Sequence, residues 1–130
     1  MEFTTENVIY IGLFLKEQMK GQLERQIKDQ HVTLQFRPNQ EQIDKFIEQF
    51  KNVGEISIDI VGYANDGKNE ACSVILPYEV ECQNKQPHIT LSVSATGKPV
   101  DSGFLPFEPC ENCSIIVRPG LFTTSGLVLL

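Results

Sequence analysis

His31–Phe36 (HVTLQF) and Pro87–Ser94 (PHITLSVS) are the two stretches that decide the fold, because each alternates between apolar and polar residues. In each stretch the apolar side chains stand at every second position, starting at Val32 and at Ile89. A period of two predicts a strand that packs one face on a core and leaves the other face open. Each stretch therefore predicts a half-buried strand with a polar outer face.

The polar face of each predicted strand carries a histidine and, two residues on, a threonine. These pairs use both histidines of the chain. Because imidazole titrates near neutral pH, one histidine can act as general base while the other acts as general acid. A hydroxyl on the same face can donate to phosphate oxygens, where charge builds in the transition state. The pattern predicts metal-independent chemistry on a phosphodiester, with four catalytic residues: His31, Thr33, His88 and Thr90.

The two His-x-Thr motifs, each set among apolar residues, resemble the signature of the 2H phosphoesterase superfamily. The predicted order of elements looks most like the small RNA-repair-type branch, and the resemblance covers residues 8–105. It implies an α+β fold of two lobes, with mostly antiparallel sheets around a central cleft and two helices packed outside. Each lobe would contribute one motif strand to the cleft. It also implies hydrolysis of a ribose 2′,3′-cyclic phosphate, first of all at an RNA end.

The remaining patterns supply the other elements of this expected fold. Lys16–Lys28 has one apolar stripe with a period near four, which predicts a helix. Asn39 is the expected N-cap of a second helix, because apolar residues then follow at helical spacing up to a stop at Gly54. The other expected elements are a buried strand at Val8–Leu15, strands at Glu55–Gly62, Ala71–Leu76 and Ser114–Arg118, a turn at Asp66-Gly67, and a long loop at Ala95–Pro109.

Three further residues are candidates for substrate binding. Tyr63 flanks the predicted turn and is a candidate for stacking on a base. Lys98 follows the second motif strand and is a candidate for contacting a phosphate. Tyr10 is a candidate only because the family resemblance implies a cleft residue there. For Tyr63 and Lys98, an ordinary role as turn and loop residues is the favoured interpretation.

Composition limits the partners and the compartment. The 130 residues predict a single domain, residues 1–130, with a net charge of −6 and no basic run. Proteins that bind long nucleic acids usually carry a basic face, which this acidic sequence does not predict. We therefore expect a nucleotide or short oligonucleotide substrate. The sequence has neither a signal-peptide layout nor a long apolar run, which predicts a cytoplasmic protein with no membrane partner. Cys110 and Cys113 form a C-x-x-C pair, which we interpret as structural or incidental thiols in a reducing compartment.

Other functions remain open at this point. One alternative is a hydrolase of cyclic or 2′,5′-linked oligonucleotide messengers, as in immune evasion. Another is a nucleotide-binding module that retains the cleft but has lost turnover. A third is a pure interaction protein, in which both histidines are structural. A metal site on His31 and His88 is disfavoured because no carboxylate stands at ligand spacing, and no cofactor is expected. An RNA-repair enzyme is a candidate partner.

Overall fold

The alternating strands of the sequence pair into one closed antiparallel sheet. A computed structural model describes residues 2–130. In chain order the elements are β1 (Val8–Leu15), β2 (Arg25–Gln26), β3 (His31–Phe36), α1 (Gln40–Phe50), β4 (Ile56–Asn65), β5 (Asn69–Ile75), β6 (His88–Val93), a 3₁₀ segment (Pro99–Phe104), β7 (Glu108–Thr123) and β8 (Gly126–Leu129).

Six of these strands form a closed barrel, in the order β1-β3-β6-β5-β4-β7, with β7 pairing back to β1. Closure pairs the backbone groups that an open sheet would expose at its edges. β2 pairs with β6 and β8 pairs with β7 outside this ring. The predicted two-lobed α+β fold with a central cleft is therefore wrong. The two motif strands, which that fold assigns to separate lobes, are neighbours in one barrel wall.

The hydrophobic core lies on the inner face of this wall. The alternation of the motif strands places Val32, Leu34, Ile89 and Leu91 in the core, as predicted, and all four are buried. Small barrels of this kind are filled by side chains and enclose no channel. The apolar face of α1 joins the same core.

The predicted second helix is confirmed as α1, and its start at Asn39 is a capping box. The Asn39 side chain accepts a hydrogen bond from the Gln42 N–H (2.8 Å), and the Gln42 side chain accepts one from the Asn39 N–H (2.9 Å). Two free amide groups at the helix start are thereby satisfied. Gly54, the predicted stop, has a left-handed backbone with φ of 74°.

The predicted helix at Lys16–Lys28 is wrong, because this segment is an irregular loop that contributes only β2. Its backbone groups are taken by partners that a helix could not reach. The buried Gln30 side chain bonds both the N–H and the carbonyl of Met19 (2.7 and 2.8 Å). The N–H of Gln22 donates to the carboxylate of Glu70 (2.7 Å). These tertiary bonds outweigh the local preference for a helix.

Two predictions for the C-terminal third gave the wrong bounds for the elements. The predicted strand at Ser114–Arg118 is only the middle of β7, which runs from Glu108 to Thr123 and closes the barrel. The predicted loop at Ala95–Pro109 contains the 3₁₀ segment and the start of β7. Within residues 2–130, no helix has the length and apolar character needed to span a bilayer.

Candidate active site on the outer wall of the barrel

The four predicted catalytic residues lie together on the outer face of the barrel wall. β3 and β6 pair with Val32 opposite Ile89, and both of these side chains point into the core. Since side chains alternate along each strand, both His-Thr pairs point outward. The antiparallel register sets His31 opposite Thr90 and Thr33 opposite His88. The two histidines thus sit on a diagonal of the strand pair, where backbone positions are about 7–8 Å apart.

Both imidazoles are held by the same kind of hydrogen bond. The Nδ1–H of His31 donates to the carbonyl of Asp29 (2.8 Å), and the Nδ1–H of His88 donates to the carbonyl of Gln86 (2.9 Å). A carbonyl can only accept, so Nδ1 carries the hydrogen in each ring and Nε2 is left as the proton acceptor. Asp29 adopts a left-handed backbone with φ of 51°, which a short polar residue tolerates.

An aromatic wall surrounds His31. Its ring stacks on Tyr10, with 4.7 Å between ring centroids, and lies 5.1 Å from the ring of Phe14. Gly12 stands between these two residues on β1, where a Cβ atom would lie 2.6 Å from the carbonyl oxygen of Val32 on β3. Tyr10 also stacks on Phe122 at 5.1 Å. The imidazole is therefore fixed in a largely apolar setting.

This setting tunes the acid–base behaviour of the first motif. Burial lowers the pKa of His31, and the charge of nearby His88 lowers it further, against opposing effects of the Asp29 carbonyl and carboxylate. Burial also raises the pKa of Tyr10 to about 12, with a smaller contribution from Asp29. His31 is thus favoured in the neutral form that a general base requires.

The 3₁₀ segment covers the second motif. The hydroxyl of Thr90 donates to the buried hydroxyl of Ser102 (2.9 Å). Gly103 lies against the His88 ring, since a Cβ atom at this glycine would stand 3.2 Å from the ring's Cε1. The Phe107 ring follows at 6.3 Å from the His88 ring. The segment therefore contacts both members of the second motif, whereas Thr33 makes no side-chain hydrogen bond within residues 2–130.

Of the three predicted substrate-binding residues, the structure brings only Tyr10 to the histidine pair. Tyr63 is level with Cys72 on the neighbouring strand and packs against the core, which is the opposite face of the wall. Its hydroxyl donates to the carboxylate of Glu70. Lys98 directly precedes the 3₁₀ segment, and its side chain is exposed to solvent.

Sequence reasoning missed several residues around the site. The alternation of Tyr10, Gly12 and Phe14 along β1 does carry a signal, because three such positions share one face. The interpretation of Val8–Leu15 as a wholly buried strand obscured it. No comparable signal marks Ser102, since it contacts the second motif only through the folded chain.

Of the four cysteines, Cys82 contacts the backbone of this patch, because its Sγ–H donates to the carbonyl of Thr33 (3.4 Å). All four are free thiols, and burial, with neighbouring Cys110, Glu70 and Cys113, raises the pKa of Cys72 to about 12. In the part of the chain that the structure describes, no three His, Cys, Asp or Glu side chains converge as ligands for one metal ion.

The outer patch thus combines two imidazoles with free Nε2 atoms, two hydroxyls and an aromatic wall. Such a set can accept a proton at one side of a bound phosphate, deliver a proton at the other side, and donate to its oxygens. Comparisons with protein-family models, with curated proteins and with solved structures gave no match.

Proposed function

We propose that this protein is a metal-independent phosphodiesterase that acts on a ribose 2′,3′-cyclic phosphate, first of all at an RNA end. The observation that carries the proposal is the matched pair of Nδ1 hydrogen bonds at His31 and His88. A histidine that serves only packing needs no particular tautomer. Here two histidines on adjacent strands share one tautomer, and both leave Nε2 for proton transfer.

The reaction needs one base and one acid. Nε2 of His31 takes a proton from water while the water oxygen forms a bond to phosphorus. The bond from phosphorus to one ribose oxygen breaks. His88 acts as the imidazolium, which carries hydrogen on Nε2 as well as on Nδ1, and its Nε2–H protonates the leaving oxygen. His31 takes the role of base because its lowered pKa keeps it neutral near pH 7. The hydroxyl of Thr33 donates to a non-bridging oxygen as negative charge builds there.

The substrate of this reaction is short. The net charge of −6 disfavours a long nucleic-acid track, and recognition is confined to the patch around the histidines. An enzyme that produces or seals RNA ends is the matching partner in this proposal.

A second candidate is a hydrolase of cyclic or 2′,5′-linked oligonucleotides, and one exposed aromatic ring favours it. Phe104 is 89% exposed and follows Gly103, which lies against the His88 ring. An exposed ring beside a phosphate site suits a substrate with a base next to the phosphate, because bases stack on aromatic side chains.

A substrate panel in EDTA tests the proposed function and separates the two candidates. Nucleoside 2′,3′-cyclic phosphates and RNA with a 2′,3′-cyclic end are compared with 2′,5′-linked and cyclic oligonucleotides, with product analysis by chromatography. We expect turnover of the cyclic phosphates without metal. Turnover confined to oligonucleotides, with KM raised by Phe104→Ala, would establish the second candidate instead. A folded protein that turns over none of them would contradict both.

The pH dependence should show the lowered pKa of His31. The base must be unprotonated, so kcat/KM should rise with pH along an acid limb whose midpoint lies below the ordinary value of 6.5. His31 has its lowered pKa in the folded chain and the ordinary value of 6.5 in the unfolded chain. At a pH between these two values, the unfolded chain binds more protons than the folded chain. The free energy of unfolding should therefore rise with pH through the same window and level off above 6.5. Imidazole titration by NMR checks the assignment, and a midpoint at or above 6.5 for His31 would contradict it.

A further inference from the structure

A buried polar network joins the second motif to two residues outside both motifs. Ser102 is 0% exposed, and its hydroxyl accepts hydrogen bonds from Nδ2 of Asn69 (3.0 Å) and from the hydroxyl of Thr90 (2.9 Å). Nδ2 of Asn69 also donates to the carbonyl of Lys98 (2.6 Å). Asn69 thus holds the hydroxyl of Ser102 from within the protein, while Thr90 lies at the outer patch.

The chemistry of these groups gives the network a direction. An amide Nδ2 can only donate, so one lone pair of Ser102 always faces Asn69. A hydroxyl hydrogen, in contrast, rotates to suit its partners. Without an anion, Thr90 donates to Ser102. When an anion arrives at the patch, Thr90 can turn its hydrogen outward, provided that Ser102 donates to Thr90 in return. Bonds that point the same way along a chain strengthen one another.

We propose that Asn69, Ser102 and Thr90 form a hydrogen-bond relay that directs the hydroxyl of Thr90 onto a non-bridging phosphate oxygen. Ser102 and Asn69 are positioning residues in this relay, since they act through Thr90. The relay rests on the proposed function in one respect, namely that the anion in turnover is the phosphate of the substrate. It makes the two motifs unequal, because Thr33 has no such partner.

A double-mutant cycle tests the relay in turnover. Thr90→Val should lower kcat by about 10²-fold, as expected for loss of one oxyanion donor. Ser102→Ala should lower kcat by about tenfold with KM little changed, because Thr90 keeps its hydroxyl but loses its orientation. The combined variant should be no slower than Thr90→Val alone. Independent, multiplying effects would overturn the relay.

Ser92→Ala is the matched control. Ser92 is also a fully buried serine of the same region, on β6, but it donates to Glu70 (2.7 Å) and accepts from the Leu23 N–H (3.0 Å). Ser92→Ala leaves in place the bond from the Gln22 N–H to Glu70, which anchors the same loop. It should therefore lower stability without the kcat effect of Ser102→Ala. Equal effects of the two serine variants on kcat would reduce Ser102 to a structural role and overturn the proposal.

Binding of inorganic phosphate tests the relay without turnover. The chain has two histidines, so two imidazole signals report on the patch in NMR. We expect phosphate to shift both signals, and Ser102→Ala to weaken phosphate binding about fivefold, the worth of one hydrogen bond. No weakening in Ser102→Ala, or no shift in the wild type, would overturn the relay. Coupled phosphate binding without turnover of any phosphodiester would instead support the relay and contradict the proposed function.

Discussion

Replacement of either histidine by alanine is expected to lower kcat by about 10²–10⁴-fold, which is the usual contribution of a positioned acid or base. His31→Ala removes the acceptor for the proton of water. His88→Ala removes the donor to the leaving oxygen. Because each ring presents its free Nε2 from the same outer face, the two losses should be similar in size. Steady-state turnover of a 2′,3′-cyclic nucleotide in EDTA measures both.

Controls must separate lost chemistry from lost structure. The His31 ring packs between Tyr10 and Phe14, so its removal also leaves a gap in the aromatic wall. Urea unfolding of each variant gives the folded fraction, and kcat is compared only for folded protein. Imidazole added to the buffer should restore part of the activity by entering the vacated space. Wild-type kcat in either folded variant would contradict the twin-histidine mechanism.

Glu70→Ala is expected to destabilise the protein by about 3 kcal/mol or more. Glu70 is 2% exposed, and its carboxylate accepts hydrogen bonds from the Tyr63 hydroxyl, the Ser92 hydroxyl (2.7 Å) and the Gln22 N–H (2.7 Å). Alanine would leave three donors without their acceptor: one in a buried bond, from Ser92, and two in part-buried bonds, from Tyr63 and Gln22. A fully buried donor that lacks a partner costs about 1–3 kcal/mol, and the two part-buried donors add smaller costs. The midpoint of urea unfolding measures the loss.

Two further variants make this expectation specific. Glu70→Gln keeps an acceptor oxygen in place, so its loss should fall between those of wild type and alanine. Glu111→Ala removes an exposed carboxylate from β7 and should leave the unfolding midpoint unchanged. Equal midpoints for Glu70→Ala and wild type would show that the network contributes nothing to stability.

The same carboxylate also links stability to the site. Through Gln22 it anchors the loop between β1 and β3, and that loop ends at Asp29, whose carbonyl holds the His31 ring. A loosened loop should therefore release Nδ1 of His31 before the barrel itself unfolds. This would appear as a changed His31 signal in NMR at urea concentrations below the main transition.

Local patterns predicted the elements that depend on neighbouring residues. The alternation in β3 and β6 reflects one buried face, and Asn39 caps α1 through residues close in sequence. Lys16–Lys28 shows the opposite case. Its apolar stripe predicts a helix, but its backbone groups bond to the side chains of Gln30 and Glu70 instead. No local pattern in the sequence indicates those partners. Likewise, the placement of Tyr63 on the core face depends on its pairing with β5.

The sequence by itself determined which faces of the motif strands are buried, and hence that His31, Thr33, His88 and Thr90 point the same way from their strands. Alternation is a local property, because it follows from the two-residue period of a strand. Only the tertiary structure decided that β3 and β6 are neighbours, that six strands close into a barrel, and that Ser102 reaches Thr90. Strand pairing and loop docking join residues far apart in the chain. The apolar face of a strand can be buried equally well in a two-lobed fold or in a barrel, so alternation alone does not decide between them.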